Sequence, residues 1–181
     1  MSTWYNVHME NGIIRSLLER RSCRSYKPEQ ISDDELQTVL EAGKYAPSAM
    51  GRQSAKMVVL QNKDDISALS RMNARIMGTD NDPFYGAPTV VIVLADRNIP
   101  TCVEDGSLVL GNLMNAAHAI GLGSCWINRA YEEFESDEGK AMLRKWGVEG
   151  DWRGIGHCIL GYPVSVKEAA PRKDDFVTIV R

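Results

Sequence analysis

The sequence predicts a single α+β domain, on three observations. Segments with helical and strand periodicity follow one another along 181 residues without strict alternation. No internal repeat, Pro/Gly linker or low-complexity run divides them. Apolar residues at 44% and charged residues at 25% give the balance of a soluble globular chain, long enough to bury a core without staples.

Taken in order, Ile13, Ile14, Leu17 and Leu18 recur at helical spacing and predict a short helix. Lys27-Pro28-Glu29-Gln30 reads as an extended turn, because proline pushes its predecessor out of the helical region. Ser32 followed by Glu35 has capping-box spacing, and Leu36, Val39, Leu40 and Gly43 share a face, so a helix is expected from about Asp33 to Tyr45. Ala46 to Gln53 is rich in small and turn-forming residues and predicts neither helix nor strand; such residues let a backbone approach a flat ligand. Lys56 to Leu60 reads as a buried strand and Asp64 to Ile76 as a helix. Gly78 to Gly86, polar with two aromatics, is expected to be a mobile loop.

Thr89 to Ala95 is the continuous apolar run of a central strand. Glu104 to Ile120 is a helix apolar on more than one side, expected in the core or against a second subunit. Gly121-Leu122-Gly123 stops it; Ser124 to Ile127 reads as a strand, Ser136 to Trp146 as a helix, and Gly156 to Pro163 as the last core strand. Phe176 to Val180 looks like a terminal strand that pairs at a sheet edge, on this chain or another.

Charge excludes some functions. Lys and Arg number 21 against 24 Asp and Glu, a net charge of -3. A general nucleic-acid or membrane-surface binder needs an excess of positive charge, so neither partner is expected. Cys23, Cys102, Cys125 and Cys158 are scattered, with no C-x-x-C and no paired histidines, so neither a disulfide framework nor a metal site is expected. The polar start lacks a signal-peptide core and no apolar run is long enough to span a bilayer, which suggests a reducing, cytoplasmic setting.

Against this mildly acidic background Arg20-Arg21-Ser22-Cys23-Arg24-Ser25-Tyr26 stands out. Three guanidinium groups and two serine hydroxyls fall within six residues. Guanidinium forks match two phosphate oxygens at once and a hydroxyl adds a short donor, so the stretch suits a terminal phosphate; a solvated basic face is the competing reading. Neither G-x-G-x-x-G after a first strand nor G-x-x-x-x-G-K-[ST] occurs, so the Rossmann and P-loop signatures are missing. His118 and His157 lie in apolar patterns and read as core histidines. Cys125 reads as a small core hydrophobe.

Four blocks, in order and separation, resemble the nitroreductase-like family of flavin-dependent oxidoreductases. They are Arg20 to Tyr26; Ala46-Pro47-Ser48-Ala49 with Arg52-Gln53; Gly121-Leu122-Gly123-Ser124-Cys125-Trp126-Ile127; and Leu160-Gly161-Tyr162-Pro163 with Pro171-Arg172-Lys173. The likeness runs from about Ile13 to Arg181. It implies an α+β fold with a mixed central sheet flanked by helices, one domain over residues 1–181 with a flexible lead-in at 1–11 and an extended tail at 164–181, and a homodimer toward whose partner the tail extends.

The resemblance also implies FMN as cofactor. Arg20 and Ser22 match the family's phosphate ligands, and Arg24 lies nearer the ribityl chain and the N1-C2 edge of the ring. Arg21 stands where the family often uses backbone, so its side chain is left open. Pro47, Ser48 and Ala49 match the segment contributed by the partner subunit, with Gln53 near the ring. Gly51 and Ser54-Ala55 depart from the family pattern there. Trp126, Ile127 and Asn128 match the strand end beside the ring, and Asn128 and Arg129 replace the family's usual glycine or acid, leaving Arg129 unassigned. Arg172, with Lys173 beside it, matches a carboxy-terminal phosphate ligand.

On this likeness NAD(P)H is the co-substrate and a small electron-poor molecule, such as a nitroaromatic or quinone, the acceptor. Flavin carries the chemistry, so no catalytic side chain is expected, which suits a sequence without a triad or carboxylate pair. A non-catalytic FMN-storage protein, a relative with specialised flavin chemistry, and a binder of another phosphorylated ligand are the alternatives.

Overall fold

The structure, a computed structural model, describes residues 11–181; apart from Asn11, the lead-in expected at 1–11 lies outside the described residues. Four strands form one sheet: β1 (Ala55–Leu60), β2 (Thr89–Asp96), β3 (Gly123–Ile127) and β4 (Trp152–Gly161), in the order β1-β2-β4-β3. The helices are α1 (Gly12–Glu19), α2 (Asp33–Lys44), α3 (Lys63–Met77), α4 (Cys102–Ala119), α5 (Ala130–Glu135) and α6 (Asp137–Lys145). All three strand ladders are antiparallel, and the parallel part of the expected mixed sheet is confined to one bridge, Ser22 to Ser124.

Strand β2 explains the layering. Thr89 to Ala95 are buried without interruption because both faces of the sheet are covered. Val91, Val93 and Ala95 point into a core shared with Leu36 and Val39 of α2 and Leu110 and Leu113 of α4. Val90, Ile92 and Leu94 point into a second core with Leu69 of α3, Phe134 of α5 and Leu143 of α6. The ladder between β2 and β4 shifts register at Val93/Leu94, where the partners step from Gly156 to Gly154 and Ile155 is the extra residue. A Cβ on Gly106 of α4 would lie 2.6 Å from the Ile155 side chain, so glycine is what lets α4 lie close on the sheet.

Local signals account for the helix starts. Ser32 and Glu35 form the capping box on α2, and Asn11, Asn62 and Ser136 accept backbone N–H bonds at the starts of α1, α3 and α6. Helix α1 buries no residue, and Ile13, Leu17 and Leu18 stay exposed.

Two expectations need correction. The 78–86 segment is tied down: Asp82 accepts from Ser70 Oγ (2.5 Å) and from the backbone of Phe84 (2.9 Å) and Gly86 (2.6 Å), with Phe84 fully buried. Residues 130–135 form a helix where none was expected. Phe176 to Val180 pair with no strand among the described residues of this chain, and the tail from Val164 is exposed. No helix among the described residues is long and apolar enough to cross a membrane.

Candidate functional site

The arginine-rich stretch is laid against β3 by backbone bonds. Ser22 bridges Ser124, Cys23 N donates to Ser124 O at 2.9 Å, and Lys27 N donates to Tyr162 O at 2.9 Å. The seam is tight: a Cβ on Gly123 would sit 2.8 Å from Cys23 Sγ. Three of the four sequence blocks, Arg20 to Tyr26, Gly121 to Ile127 and Leu160 to Pro163, are thereby neighbours, the last through a bridge between Tyr26 and Pro163.

The three arginines do different things. Arg21 Nη1 donates to the carbonyls of Leu18 and Arg20, 2.7 Å each, closing the end of α1. Arg20 is half-buried, and its Nη1 is buried with no hydrogen-bond partner among the described residues. A buried charged donor in that state carries a desolvation cost with nothing to offset it, which an anion would remove. Arg24 is exposed, its guanidinium 6.0 Å from the centre of the Tyr85 ring.

Arg24 also lines a cavity of about 540 Å³ at the end of β3, together with Tyr85, Trp126, Ile127, Asn128 and Arg129. Behind its floor runs a buried polar chain. Asn73 Nδ2 donates to Asn128 O (2.8 Å) and to Glu133 Oε1 (2.6 Å), and Asn73 Oδ1 accepts from Arg129 Nε (2.9 Å). Glu133 Oε2 meets His157 Nε2 at 2.5 Å, and Asn73, Glu133 and His157 are all fully buried. Arg129 itself has φ 80, in the left-handed region.

The Pro47 to Gln53 loop does not line that cavity. Asp105 in α4 anchors it, accepting from Ala49 N (3.0 Å) and Ser54 Oγ (2.7 Å). Burial pushes the Asp105 carboxyl up, but the bonds from Ser54, Ala49 and Thr101, with the Arg52 charge, outweigh it and hold the pKa below the ordinary aspartate value. Ser48 Oγ accepts from Gln53 N at 3.0 Å, and Met50 and Gln53 both take positive φ. Met50 is 86% exposed. The loop is therefore a held, outward-facing surface. Arg172 and Lys173 lie in the exposed tail, where among the described residues neither side chain forms a hydrogen bond or ion pair.

Asn73, Asp105 and Glu133 were not anticipated from sequence. The detectable signal was His157, a polar side chain inside the apolar run of β4, which demands a buried partner.

The chain has relatives of known fold. It is 26% identical over 168 residues to a provisionally named NADH dehydrogenase/NAD(P)H nitroreductase of Archaeoglobus fulgidus, a match covering 90% of this chain and 92% of that one. A nitroreductase with bound FMN from Bacteroides fragilis superposes with a TM-score of 0.87 at 28% identity, covering 94% of this chain and all of the other. A second FMN-bound nitroreductase, from Desulfitobacterium hafniense, gives 0.86 at 25% identity over 96% of this chain and all of its own. Residues 17–162 match the model of the nitroreductase family, more than half of the chain, and to that family the chain belongs.

Proposed function

We propose that the chain is an FMN-dependent oxidoreductase that works as a homodimer, taking hydride from NAD(P)H and delivering it to an electron-poor acceptor such as a nitroaromatic or quinone. The observation that carries this reading is the unpartnered, buried Nη1 of Arg20, lying where Ser22 is joined to β3. A phosphate monoester fits that donor set, because a doubly charged group offers acceptor oxygens to a guanidinium whose Nη1 has no partner among the described residues.

Arg20 and Ser22 would hold the FMN phosphate, with Arg172 and Lys173 of the tail as further cations. Arg24 would sit toward the N1-C2 edge of the ring, and the Trp126 to Asn128 backbone beside it. Pro47, Ser48, Ala49 and Gln53 would come from the partner subunit; the Asp105-anchored, outward-facing loop supports this. The exposed apolar residues Ile13, Leu17 and Leu18 of α1, with Phe176, Val177, Ile179 and Val180 of the tail, support a partner that covers them. Arg21 is spent on the end of α1 and drops out as a phosphate ligand in this proposal.

When bound, FMN supplies the two-electron hydride chemistry. The chain's own contribution is to bind, orient and polarise: Arg24 would present positive charge where negative charge develops. Protein purified from riboflavin-fed cells is expected to be yellow and dimeric, and to oxidise NADH or NADPH with excess quinone. A colourless protein that takes up no added FMN would overturn the reading; FMN retained without turnover would favour storage.

A further inference from the structure

Arg129 holds a conformation that L residues rarely adopt, and the surroundings explain how it is kept. Its φ of 80 places it in the left-handed region, at the turn between β3 and α5. Such strain persists only where neighbours over-determine it, and it clusters at functional sites. Here the neighbours are Asn73, which takes Arg129 Nε on Oδ1 and grips the adjacent Asn128 carbonyl through Nδ2, and Glu133, which accepts from Asn73 and is itself held by His157.

This leaves the end of the guanidinium fork uncommitted. Among the described residues, Arg129 Nη1 and Nη2 donate to nothing, and the side chain lines the 540 Å³ cavity beside Arg24, Tyr85 and Trp126. Asp82 lines the same cavity, but its two carboxylate oxygens are already engaged by Ser70, Phe84 and Gly86. Glu133 lies fully buried behind Asn73. The wall thus combines flat aromatic surface with an oriented, singly tethered cation.

We propose that Arg129 is a specificity-determining residue that selects aromatic acceptors bearing a carboxylate or sulfonate. The inference rests on the oxidoreductase reading and narrows its substrate class. For a nitroaromatic, NAD(P)H and one proton reduce the nitro group to nitroso: the hydride and the proton leave with one nitro oxygen as water, and NAD(P)+ is released. The carboxylate takes no part in that balance; it fixes the ring by pairing with the guanidinium.

The test compares para-nitrobenzoate with its neutral isostere para-nitrobenzamide on FMN-loaded protein. Wild type should favour the benzoate in kcat/KM by roughly tenfold or more, mainly through KM, and the preference should shrink with added salt. Arg129→Gly, which removes the cation and suits the positive φ, and Arg129→Gln should each bring the ratio close to one. Equilibrium binding of benzoate and benzamide to the oxidised protein, read from perturbation of the flavin spectrum, should follow the same pattern. Equal treatment of the pair by wild type, or an unaltered preference in Arg129→Gly, overturns the proposal. So does a variant that loses thermal stability while keeping the preference, since that is a structural role only. If the protein binds no FMN the oxidoreductase reading fails separately, and tryptophan quenching by the two nitro compounds, compared between unloaded wild type and unloaded Arg129→Gly, still decides whether Arg129 gives the cavity a preference for the anion: a preference equal in both overturns the proposal.

Discussion

Asp105 Oδ1 accepts the backbone N–H of Ala49 at 3.0 Å, so one buried carboxylate in α4 holds the loop proposed above to serve the partner's cofactor site. Its other oxygen accepts from Ser54 Oγ at 2.7 Å. Asp105→Ala strands a buried hydroxyl and a backbone donor, and is expected to cost about 1–3 kcal/mol in urea unfolding. The freed loop should also be cut faster by trypsin after the exposed Arg52. Asp105→Asn, which keeps an acceptor, should fall between; equal cleavage rates in wild type and Asp105→Ala would remove the anchoring role.

Arg20→Ala is expected to separate binding from stability. The variant loses a charge-assisted contact to phosphate, worth about 2 kcal/mol, so FMN affinity should drop by roughly tenfold or more in a fluorescence titration. Because Nη1 is buried without a partner, the cofactor-free protein should melt no lower than wild type. A large loss of stability in the absence of FMN would mark Arg20 as a structural residue.

These two residues show what the sequence could and could not reveal. Arg20 was legible because guanidinium groups and serines cluster locally, and the helices with capping residues and the apolar strand β2 were legible for the same reason. Helix α5 was not: Ala130 to Glu135 is six residues long and carries three glutamates, so it reads as surface, and only contacts with Asn73 and His157 make Glu133 a core residue. The Asn73–Arg129 bond joins positions 56 apart in sequence, and no local pattern encodes it. Phe176 to Val180 has strand composition but no ladder partner among the described residues of its own chain, because pairing is a property of a neighbour that composition does not report.

Tyr162, just past β4, donates to Glu35 Oε2 at 2.7 Å and so ties the sheet to the capping box of α2. That bond, followed by the Ser32 N–H, holds the Glu35 carboxyl below its ordinary value of 4.5, against the opposing pull of partial burial. A depressed folded pKa means that the stabilisation is whole above the ordinary value and is lost as pH falls through the lowered one. Tyr162→Phe should therefore be less stable than wild type above pH 4.5 and converge with it in more acid solution. Urea midpoints measured across that range check this, and a deficit that persists unchanged into acid would contradict it.

Gly154 fixes how α5, and with it Arg129, sits on the sheet. A Cβ there would lie 2.0 Å from the Ala130 carbonyl oxygen and 3.0 Å from the Phe134 ring, and the first of these is backbone that cannot rotate away. Gly154→Ala must push the start of α5 off β4, and is expected to cost about 1–3 kcal/mol or more. Gly12, in the first turn of α1, has nothing within 4 Å of its Cβ position, so Gly12→Ala should be neutral or slightly stabilising, by up to about 1 kcal/mol. Chemical denaturation of the pair reads the contrast directly. Because the displaced turn carries Arg129, Gly154→Ala should also weaken the preference of the cavity for anionic ligands, whereas Gly12→Ala should leave it unchanged.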